Sequence, residues 1–161
     1  MSSTSTVTWS AKVLTVSESV SAGAREDRSG TALTELLVQR GFSVIGRRAV
    51  PDGVVPVAQA LLDLAEGFCG LLATTGGTGF APSDLTPEAT RSVLEREAPG
   101  LGEAMRAASP LGRLSRGLAG TIGSCLVVNL PGSPAGAVES MAAIVDVVPH
   151  ALALVAGERP H

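Results

Sequence analysis

A glycine-rich stretch in the middle of the chain has the residue types of a phosphate-binding loop. It reads TTGGTG over residues 74–79 and lies between an apolar run and the helix-start signal TPE at residues 86–88. The backbone N–H groups of such a loop can surround a phosphate, helped by the dipole of the following helix. Gly76, Gly77 and Gly79 suit that role, and an ordinary turn is the alternative interpretation.

Two common nucleotide-binding motifs do not fit this loop. A P-loop ends in Gly-Lys-Ser or Gly-Lys-Thr, whereas the only lysine of the chain is Lys12, in the first predicted strand. The dinucleotide fingerprint Gly-x-Gly-x-x-Gly is also not found after the first strand. P-loop hydrolysis is therefore excluded, and nicotinamide chemistry is a poor fit.

Two aspartates follow predicted strands and are surrounded by small residues. Asp52 lies in the sequence PDG and Asp84 lies just before the helix-start signal. A carboxylate in such a loop can bind a hydrated cation, for which Mg²⁺ is the natural candidate. A role in an Asx-turn or a helix cap is the alternative for both aspartates.

Two further segments have residues that could contact an anionic or polar ligand. Ser115 and Arg116 could provide charge and hydrogen bonds, with a solvated loop as the alternative. Pro131, Gly132 and Ser133 precede a predicted helix, whose N-terminus could bind a second anion or a polar ring. A plain helix cap at Ser133 is the alternative there.

The elements that must position these residues alternate between strands and helices, which is typical of an α/β domain. Strands are predicted at residues 11–16, 43–50 and 68–74, and an antiparallel hairpin at 117–121 and 125–130. Helices are predicted from a cap at Ser29 to a stop at Gly41, at 54–66, from 86 onward, at 101–108 after a break at Pro99, and from 133 to about 148, with a final helical turn or two after Pro149.

Ligands in such sheets bind outside the carboxyl ends of the parallel strands. Four loops should converge there, at residues 17–28, 51–53, 76–84 and 131–133. The sequence therefore predicts that both aspartates and the glycine-rich loop share one site.

The composition excludes several classes of partner. The 161 residues include 12 basic and 15 acidic side chains, for a net charge of −3, and one Trp, three Phe and no Tyr leave few surfaces on which bases could stack. The most apolar stretch, residues 141–156, is interrupted by Asp146, Pro149 and His150 and is shorter than the roughly 20 apolar residues of a membrane span. We expect no nucleic-acid partner and no membrane segment.

The start of the chain and its two cysteines indicate a cytoplasmic protein. Residues 1–8 contain no basic residue and no apolar core of signal-peptide length. Cys69 and Cys125 have no metal-type spacing, and we expect both to be buried free thiols. The predicted organisation is a loose tail at residues 1–10, one α/β domain at 11–157 and a C-terminal tail at 158–161.

Taken together, the motifs resemble the molybdopterin adenylyltransferase family of molybdenum-cofactor biosynthesis, which includes the Mog and MoaB proteins and the G domain of gephyrin. The resemblance spans nearly the whole chain and is most specific over residues 74–88. Its segments are LTVS at 14–17 with Gly23, Asp27, Ser29 and Gly30, VPD at 50–52, TTGGTG at 74–79, DLTPEAT at 84–90, PGLGE at 99–103, LSRG at 114–117 with Gly120, and NLPGSP at 129–134.

The resemblance implies a three-layer α/β/α domain with a mostly parallel sheet. It also implies an enzyme that transfers AMP from ATP to the terminal phosphate of molybdopterin and releases pyrophosphate. Asp52 and Asp84 match the two functional aspartates of the family, which would hold Mg²⁺ and orient the phosphates. A homotrimer, with a hexamer as the alternative, and a molybdenum insertase as partner are implied as well.

The resemblance also distributes the remaining candidate residues between two ligands. Phosphate or nucleotide would be bound by Ser17, Gly23, Thr75, Gly76, Gly77, Thr78 and Gly79. Molybdopterin would be bound by Ser115, Arg116, Pro131, Gly132 and Ser133.

One segment departs from the family pattern. The family usually has Ser-Asp-Arg after the first strand, and this chain has Ser17-Glu18-Ser19. The missing arginine removes a phosphate contact that Arg25 or Arg28 could replace. A molybdopterin-binding module of the same fold without transferase activity is therefore one alternative function, and a scaffold or oligomerisation protein is another.

Overall fold

The computed structural model describes residues 7–159, which form one mixed β-sheet with helices on both faces. The strands are β1 (Ser10–Val16), β2 (Ser43–Val50), β3 (Gly70–Thr75), β4 (Arg96–Glu97), β5 (Ala119–Ile122) and β6 (Cys125–Leu130). The helices are α1 (Glu18–Ser21), α2 (Arg28–Gln39), α3 (Val54–Ala65), α4 (Thr86–Val93), α5 (Pro99–Arg106), α6 (Pro134–Ala142) and α7 (Val148–Val155). A 3₁₀ turn, Pro110–Leu114, follows α5.

The sheet has the strand order β2-β1-β3-β6-β5-β4. Strands β2, β1, β3 and β6 are parallel, whereas β5 is antiparallel to β6 and β4 is antiparallel to β5. Ile122 pairs with Cys125 across the tight turn between β5 and β6. The mostly parallel sheet and the antiparallel hairpin predicted from the sequence are both confirmed.

The core has two halves because successive residues of the central strands point to opposite faces of the sheet. Val13 and Leu71 pack in a cluster with α2, α5, α6 and α7. Leu14 and Leu72 pack in a second cluster with α3 and α4. Strands β3 and β6 are buried along their whole length, as expected for central strands covered on both faces.

Several predicted helix boundaries are wrong, for local reasons. Asp27, not Ser29, caps α2, because the Asp27 carboxylate accepts the Gly30 N–H at 2.9 Å while Ser29 is buried inside the helix. Pro99 opens α5 instead of breaking a helix, since proline suits the first helical turn. Strand β4, only two residues long, was not predicted.

The helix predicted from 133 to about 148 ends earlier, and the final helical turns predicted after Pro149 belong to α7. Helix α6 ends at Ala142, and residues 143–147 form turns before α7 begins at Val148. Hydrogen bonds to the third residue back, from Ile144 to Met141 and from Val147 to Ile144, tighten this connection. Pro149 then lies in the first turn of α7, where its missing N–H costs least.

The two cysteines differ from each other. Cys125 is buried in β6, and burial raises the pKa of its thiol to about 12, so it is an inert core residue. Cys69 is exposed, which contradicts the prediction that both thiols are buried. It lies immediately before β3, where the strand has not yet entered the core.

The predicted tails, residues 1–10 and 158–161, lie mostly outside the described residues, and strand β1 begins at Ser10. Within residues 7–159, no helix has the length and apolar character needed to cross a membrane.

Candidate functional site

The loops that follow the parallel strands converge on one cavity of about 300 Å³, which we call the strand-end cavity. Ser17 follows β1, Asp52 follows β2, Gly76 follows β3 and Gly132 follows β6, and all four line it. The predicted convergence of the four loops is therefore confirmed. The loops meet although their strands are far apart in the sequence, because the carboxyl ends of parallel strands lie at the same edge of the sheet.

The conformation of the glycine-rich loop requires glycine at its start. Gly76 has a φ of +103°, and a Cβ there would overlap the carbonyl oxygen of Val16. Gly77 has a φ of +69°, and a Cβ there would overlap the Thr86 hydroxyl. The chain thus turns out of β3 in close contact with β1 and with the first residue of α4.

Of the four N–H groups at residues 76–79, one donates a hydrogen bond within the described part of the protein and three do not. The Gly76 N–H donates to the carbonyl oxygen of Leu130 at 3.1 Å. Among the residues that the structure describes, the N–H groups of Gly77, Thr78 and Gly79 donate to no protein acceptor. These three successive N–H groups remain free to bind an anion, as a phosphate cradle requires.

A buried hydrogen-bond network holds the start of the loop, and sequence reasoning gave its members no role apart from the helix start predicted at Thr86. Its residues are Thr74, Thr86, Thr90 and Asn129, each at most 1% exposed. The Asn129 amide donates to the hydroxyls of Thr74 at 3.0 Å and Thr90 at 3.1 Å. Thr90 donates to the Thr86 carbonyl at 2.7 Å, and Thr86 donates to the Gly76 carbonyl at 2.9 Å. The available signal was an asparagine inside the apolar run of β6.

A second buried tether fixes the loop after β6 relative to the loop after β3. The Thr75 hydroxyl donates to the Pro131 carbonyl at 2.6 Å. A Cβ on Gly132 would lie 3.3 Å from the Gly76 Cα, so the two loops are in van der Waals contact. Thr75 was predicted to bind phosphate, and the structure places its hydroxyl in this tether.

Asp52 is a partly buried carboxylate at the strand-end cavity. Burial is the largest cause of its raised pKa, and the negative charges of Asp84 and Glu18 raise it further, while a hydrogen bond from the Glu18 backbone N–H lowers it. Gly53 occupies the N-cap position of α3, with no side-chain cap, so Asp52 does not serve as a helix cap. Its charge faces the cavity, where it would favour a bound cation.

Asp84 also lines the strand-end cavity. Its carboxylate accepts the Ala81 N–H at 3.0 Å, and its own N–H donates to the Ala81 carbonyl at 2.9 Å. The turn role considered for this residue is therefore present, and the carboxylate reaches the cavity from that turn. Within residues 7–159, no three or more His, Cys, Asp or Glu side chains cluster as a metal site.

A second cavity of about 340 Å³ adjoins the first and shares Gly77, Asp84 and Gly132 with it. Ser115 and Pro131 line this second cavity, together with Leu111 and Leu114 of the 3₁₀ turn. Asp84 therefore lies between two adjoining spaces, an arrangement that suits two ligands meeting at one point.

Three predicted residues, Gly23, Arg116 and Ser133, line neither cavity. The Ser133 hydroxyl accepts the Gly136 N–H at 3.0 Å and caps α6, and Gly23 forms the turn after α1 with a φ of +75°. Ser17 lines the strand-end cavity, and its hydroxyl caps α1 by accepting the Val20 N–H at 3.3 Å.

Arg116 is held by protein acceptors on all sides. Its Nε donates to the Gly79 carbonyl at 2.8 Å, its Nη2 donates to the Asp84 carbonyl at 2.6 Å, and its Nη1 donates to both carboxylate oxygens of Glu88. Its backbone N–H donates to the Thr78 carbonyl at 2.8 Å. The hydrogen bond from Arg116 is the largest cause of the lowered pKa of Glu88.

The cations at the strand-end cavity are Arg25 and Arg28, which lie on the loop after α1 and at the start of α2. Within the described residues, neither forms an ion pair. Asp27 between them is paired with Arg47 at 3.1 Å and accepts a hydrogen bond from Thr15. The free positive charge at this cavity therefore comes from these two arginines.

Comparison with known proteins gives a consistent result. A family described as a probable molybdopterin binding domain matches residues 12–150. The molybdopterin adenylyltransferase of Helicobacter pylori strain J99 is 36% identical over 152 residues, covering 90% of this chain and 86% of that protein.

Solved structures agree with this match. MoaB from Thermus thermophilus, titled a molybdopterin biosynthesis enzyme, is 46% identical with a TM-score of 0.88, covering 93% of this chain and 98% of that one. The molybdopterin biosynthesis Mog protein of Mycobacterium ulcerans is 42% identical with a TM-score of 0.85, covering 95% and 100%. The predicted three-layer α/β/α fold and the family resemblance are both confirmed.

Proposed function

The chain belongs to the family of molybdopterin-binding domains, and from that premise we propose that it is a molybdopterin adenylyltransferase of molybdenum-cofactor biosynthesis. The observation that carries the proposal is the position of Asp84 between two adjoining cavities. One cavity also contains Asp52 and two unpaired arginines, and the other adjoins the free N–H groups of the glycine-rich loop. Two anionic substrates could meet at such a site.

The proposed reaction is a displacement at the α-phosphorus of ATP. An oxygen of the terminal phosphate of molybdopterin forms a bond to that phosphorus, and the bond to the oxygen bridging the α- and β-phosphates breaks. Pyrophosphate leaves with the electron pair, and adenylyl-molybdopterin is the second product. A phosphate monoester is largely dianionic at neutral pH, since its second pKa is about 6, so no side chain needs to remove a proton.

The protein would therefore contribute position and charge. The N–H groups of Gly77, Thr78 and Gly79 would hold phosphate oxygens, and Arg25 and Arg28 would offset negative charge at the strand-end cavity. Ser115, Pro131 and Gly132 would line the molybdopterin side of the site.

The donor set of the site fits Mg²⁺. Asp52 and Asp84 carry like charges, and the charge of Asp84 adds to the effect of burial in raising the pKa of Asp52. A cation between the phosphates and the carboxylates would relieve that repulsion. Mg²⁺ commonly takes one or two carboxylates and completes its coordination with water and substrate phosphates. When bound, it would neutralise charge on the phosphoryl oxygens and on the leaving pyrophosphate.

We also propose that the protein is a homotrimer. Val147 and Leu154 are 45% and 43% exposed beside the short edge strand β4, and this apolar surface could be covered by a second copy. Light scattering coupled to size-exclusion chromatography would give the number of copies. The cytoplasmic location and the partnership with a molybdenum insertase stay predictions.

The test of the proposed function is incubation with molybdopterin, ATP and Mg²⁺, followed by chromatography for adenylyl-molybdopterin and an assay for pyrophosphate. We expect product from the wild type and a loss on the order of 100-fold or more for Asp52→Asn and Asp84→Asn. Asp63→Asn is the matched control, because Asp63 is an exposed carboxylate paired with Arg48 away from the cavity.

Three results would argue against the proposal. Molybdopterin binding without product or pyrophosphate would favour a binding module of the same fold. No binding with strong self-association would favour a scaffold protein. Full activity of Asp84→Asn would remove the role assigned to that carboxylate.

A further inference from the structure

Arg116 joins the middle and the end of the loop of residues 76–84 to α4. In the middle of the loop it contacts the carbonyls of Thr78 and Gly79, and at the end it contacts the carbonyl of Asp84. Its remaining nitrogen, Nη1, is paired with Glu88 in the first turn of α4. We call Arg116, Glu88 and these three carbonyls the Arg116 clamp.

The clamp binds the backbone of Asp84, the residue whose side chain faces both cavities. Residues 80–83 are exposed or half-exposed, and the hydrogen bonds within them are the local pair between Ala81 and Asp84. That turn sets the Asp84 carboxylate relative to its neighbours in sequence. Two bonds from Thr86, to the carbonyls of Gly76 and Gly77, hold the chain two residues beyond Asp84. Within the described part of the chain, the bond from Arg116 is the one that joins the Asp84 backbone itself to a residue outside its own turn.

Nε and Nη2 donate to loop carbonyls and Nη1 donates to Glu88, so each guanidinium nitrogen already has an acceptor within the protein. Neither the strand-end cavity nor the adjoining one is lined by Arg116. Both carboxylate oxygens of Glu88 accept from Nη1, so the charge of the guanidinium is paired within the protein.

We propose that Arg116 is a positioning residue: with Glu88 as its partner, it closes the glycine-rich loop and fixes the Asp84 carboxylate for adenylyl transfer, and it does not bind the substrate. This inference rests on the proposed function for its kinetic consequence. Its structural consequence, a closed loop in the ligand-free protein, does not depend on that function.

The test uses Arg116→Gln, Arg116→Lys, Glu88→Gln and the Arg116→Gln/Glu88→Gln double variant. Arg91→Gln is the control, because it removes an exposed ion pair with Glu97 from the other end of the same helix. Hydrogen exchange of residues 78–84 is measured without ligand, and kcat and the KM for molybdopterin are measured with ATP and Mg²⁺. Thermal melting checks that each variant is folded.

We expect faster exchange in residues 78–84 for every Arg116 and Glu88 variant, and a decrease in kcat of about 10-fold to 100-fold, because small displacements of a reacting group have effects of that size. The KM for molybdopterin should change less than kcat. The double variant should be no worse than Arg116→Gln, since both changes open one clamp. Lysine should not rescue, because one compact ammonium cannot replace the three separated donors of the guanidinium.

A different pattern would overturn the proposal. If Arg116 binds the substrate, Arg116→Gln will raise the KM at unchanged kcat and unchanged loop exchange, Arg116→Lys will restore binding, and Glu88→Gln will leave kcat intact. Unchanged exchange and kcat in all variants would show that the loop does not need the clamp. If the wild type forms no product, the proposed function fails, and hydrogen exchange alone decides whether Arg116 closes the loop.

Discussion

Two sets of hydrogen bonds hold the glycine-rich loop, and they differ in burial and in charge. The network at the start of the loop consists of neutral side chains, Thr74, Thr86, Thr90 and Asn129, at most 1% exposed. The clamp at the end depends on an ion pair whose side chains are 33% exposed for Arg116 and 39% for Glu88.

Because of this difference, we expect one set of bonds to stabilise the loop and the other to set the position of its charged end. A buried hydrogen bond is costly to break because the abandoned groups cannot reach water, whereas an exposed ion pair exchanges its partner for solvent at little cost. We therefore expect the buried network to determine how stable the loop is and the clamp to determine where its charged end lies. Of the following four predictions, those on Asn129, Thr90 and Glu88 test that separation, and the one on Asp52 tests the charge at the strand-end cavity.

The largest effect on stability should come from Asn129→Ala. This change leaves the Leu118 N–H without its acceptor at 3.0 Å and removes the donor to Thr74 and Thr90. We expect the free energy of unfolding to fall by about 3 kcal/mol. Urea denaturation measures it, with Gln59→Ala, which removes an exposed amide bonded to Asp63, as the control. A loss below about 1 kcal/mol would contradict the role of burial.

Thr90→Val should have the next largest effect, a loss of about 1–2 kcal/mol, because it keeps the shape but removes the hydroxyl that joins Asn129 to Thr86. Thr31→Val is the matched control: the Thr31 hydroxyl makes the same kind of bond to the carbonyl four residues back, but on an exposed helix face. Similar losses from both variants, measured by urea denaturation, would mean that burial is not the deciding factor.

Asp52→Asn should have a smaller effect of opposite sign. Burial and neighbouring charges raise the folded-state pKa of Asp52 above 3.8, so its contribution to stability is present below pH 3.8 and is lost as pH rises through the folded-state value. At neutral pH the variant should therefore melt at a higher temperature than the wild type. The difference in melting temperature between the variant and the wild type should disappear below pH 3.8. A variant that melts at a lower temperature than the wild type at neutral pH would contradict the prediction.

Glu88→Gln should have the smallest effect on stability, within about 0.5 kcal/mol at neutral pH, because the ion pair is only half-buried and water screens it. The lowered pKa of Glu88 predicts a wild-type advantage that is present above pH 4.5 and is lost as pH falls through the folded-state value. Melting curves of both proteins across this range measure it. If the wild type remains more stable than Glu88→Gln in acid, or if the variant loses much stability at neutral pH, the clamp contributes to stability as the buried network does.

The fold could be predicted because its signals are local and repeated. Strand β2 was predicted with its observed bounds, and α3, predicted at 54–66, is observed at Val54–Ala65. The failures occurred where two local signals competed. Asp27 and Ser29 can both cap a helix, and which of them does so depends on the contacts of Asp27 with Thr15 and Arg47 from neighbouring strands.

The location of the candidate site could be predicted, but the hydrogen bonds that hold it together could not. Asp52, Asp84 and the glycine-rich loop were expected to meet, and the strand-end cavity contains them. The roles of Arg116 and Asn129 could not be predicted, because their partners other than Leu118 lie 28 to 55 residues away in the chain.

By itself, therefore, the sequence determined the order of strands and helices, the need for glycine at residues 76 and 77, and the acidic character of the loops at one edge of the sheet. Periodicity, turn residues and charge are local properties, readable along the chain. Only the tertiary structure decided which polar groups remain free for a ligand. The Gly76 N–H and the Arg116 guanidinium are used within the protein, while the Gly77, Thr78 and Gly79 N–H groups have no acceptor among the described residues, because strand register and loop contacts set each partner.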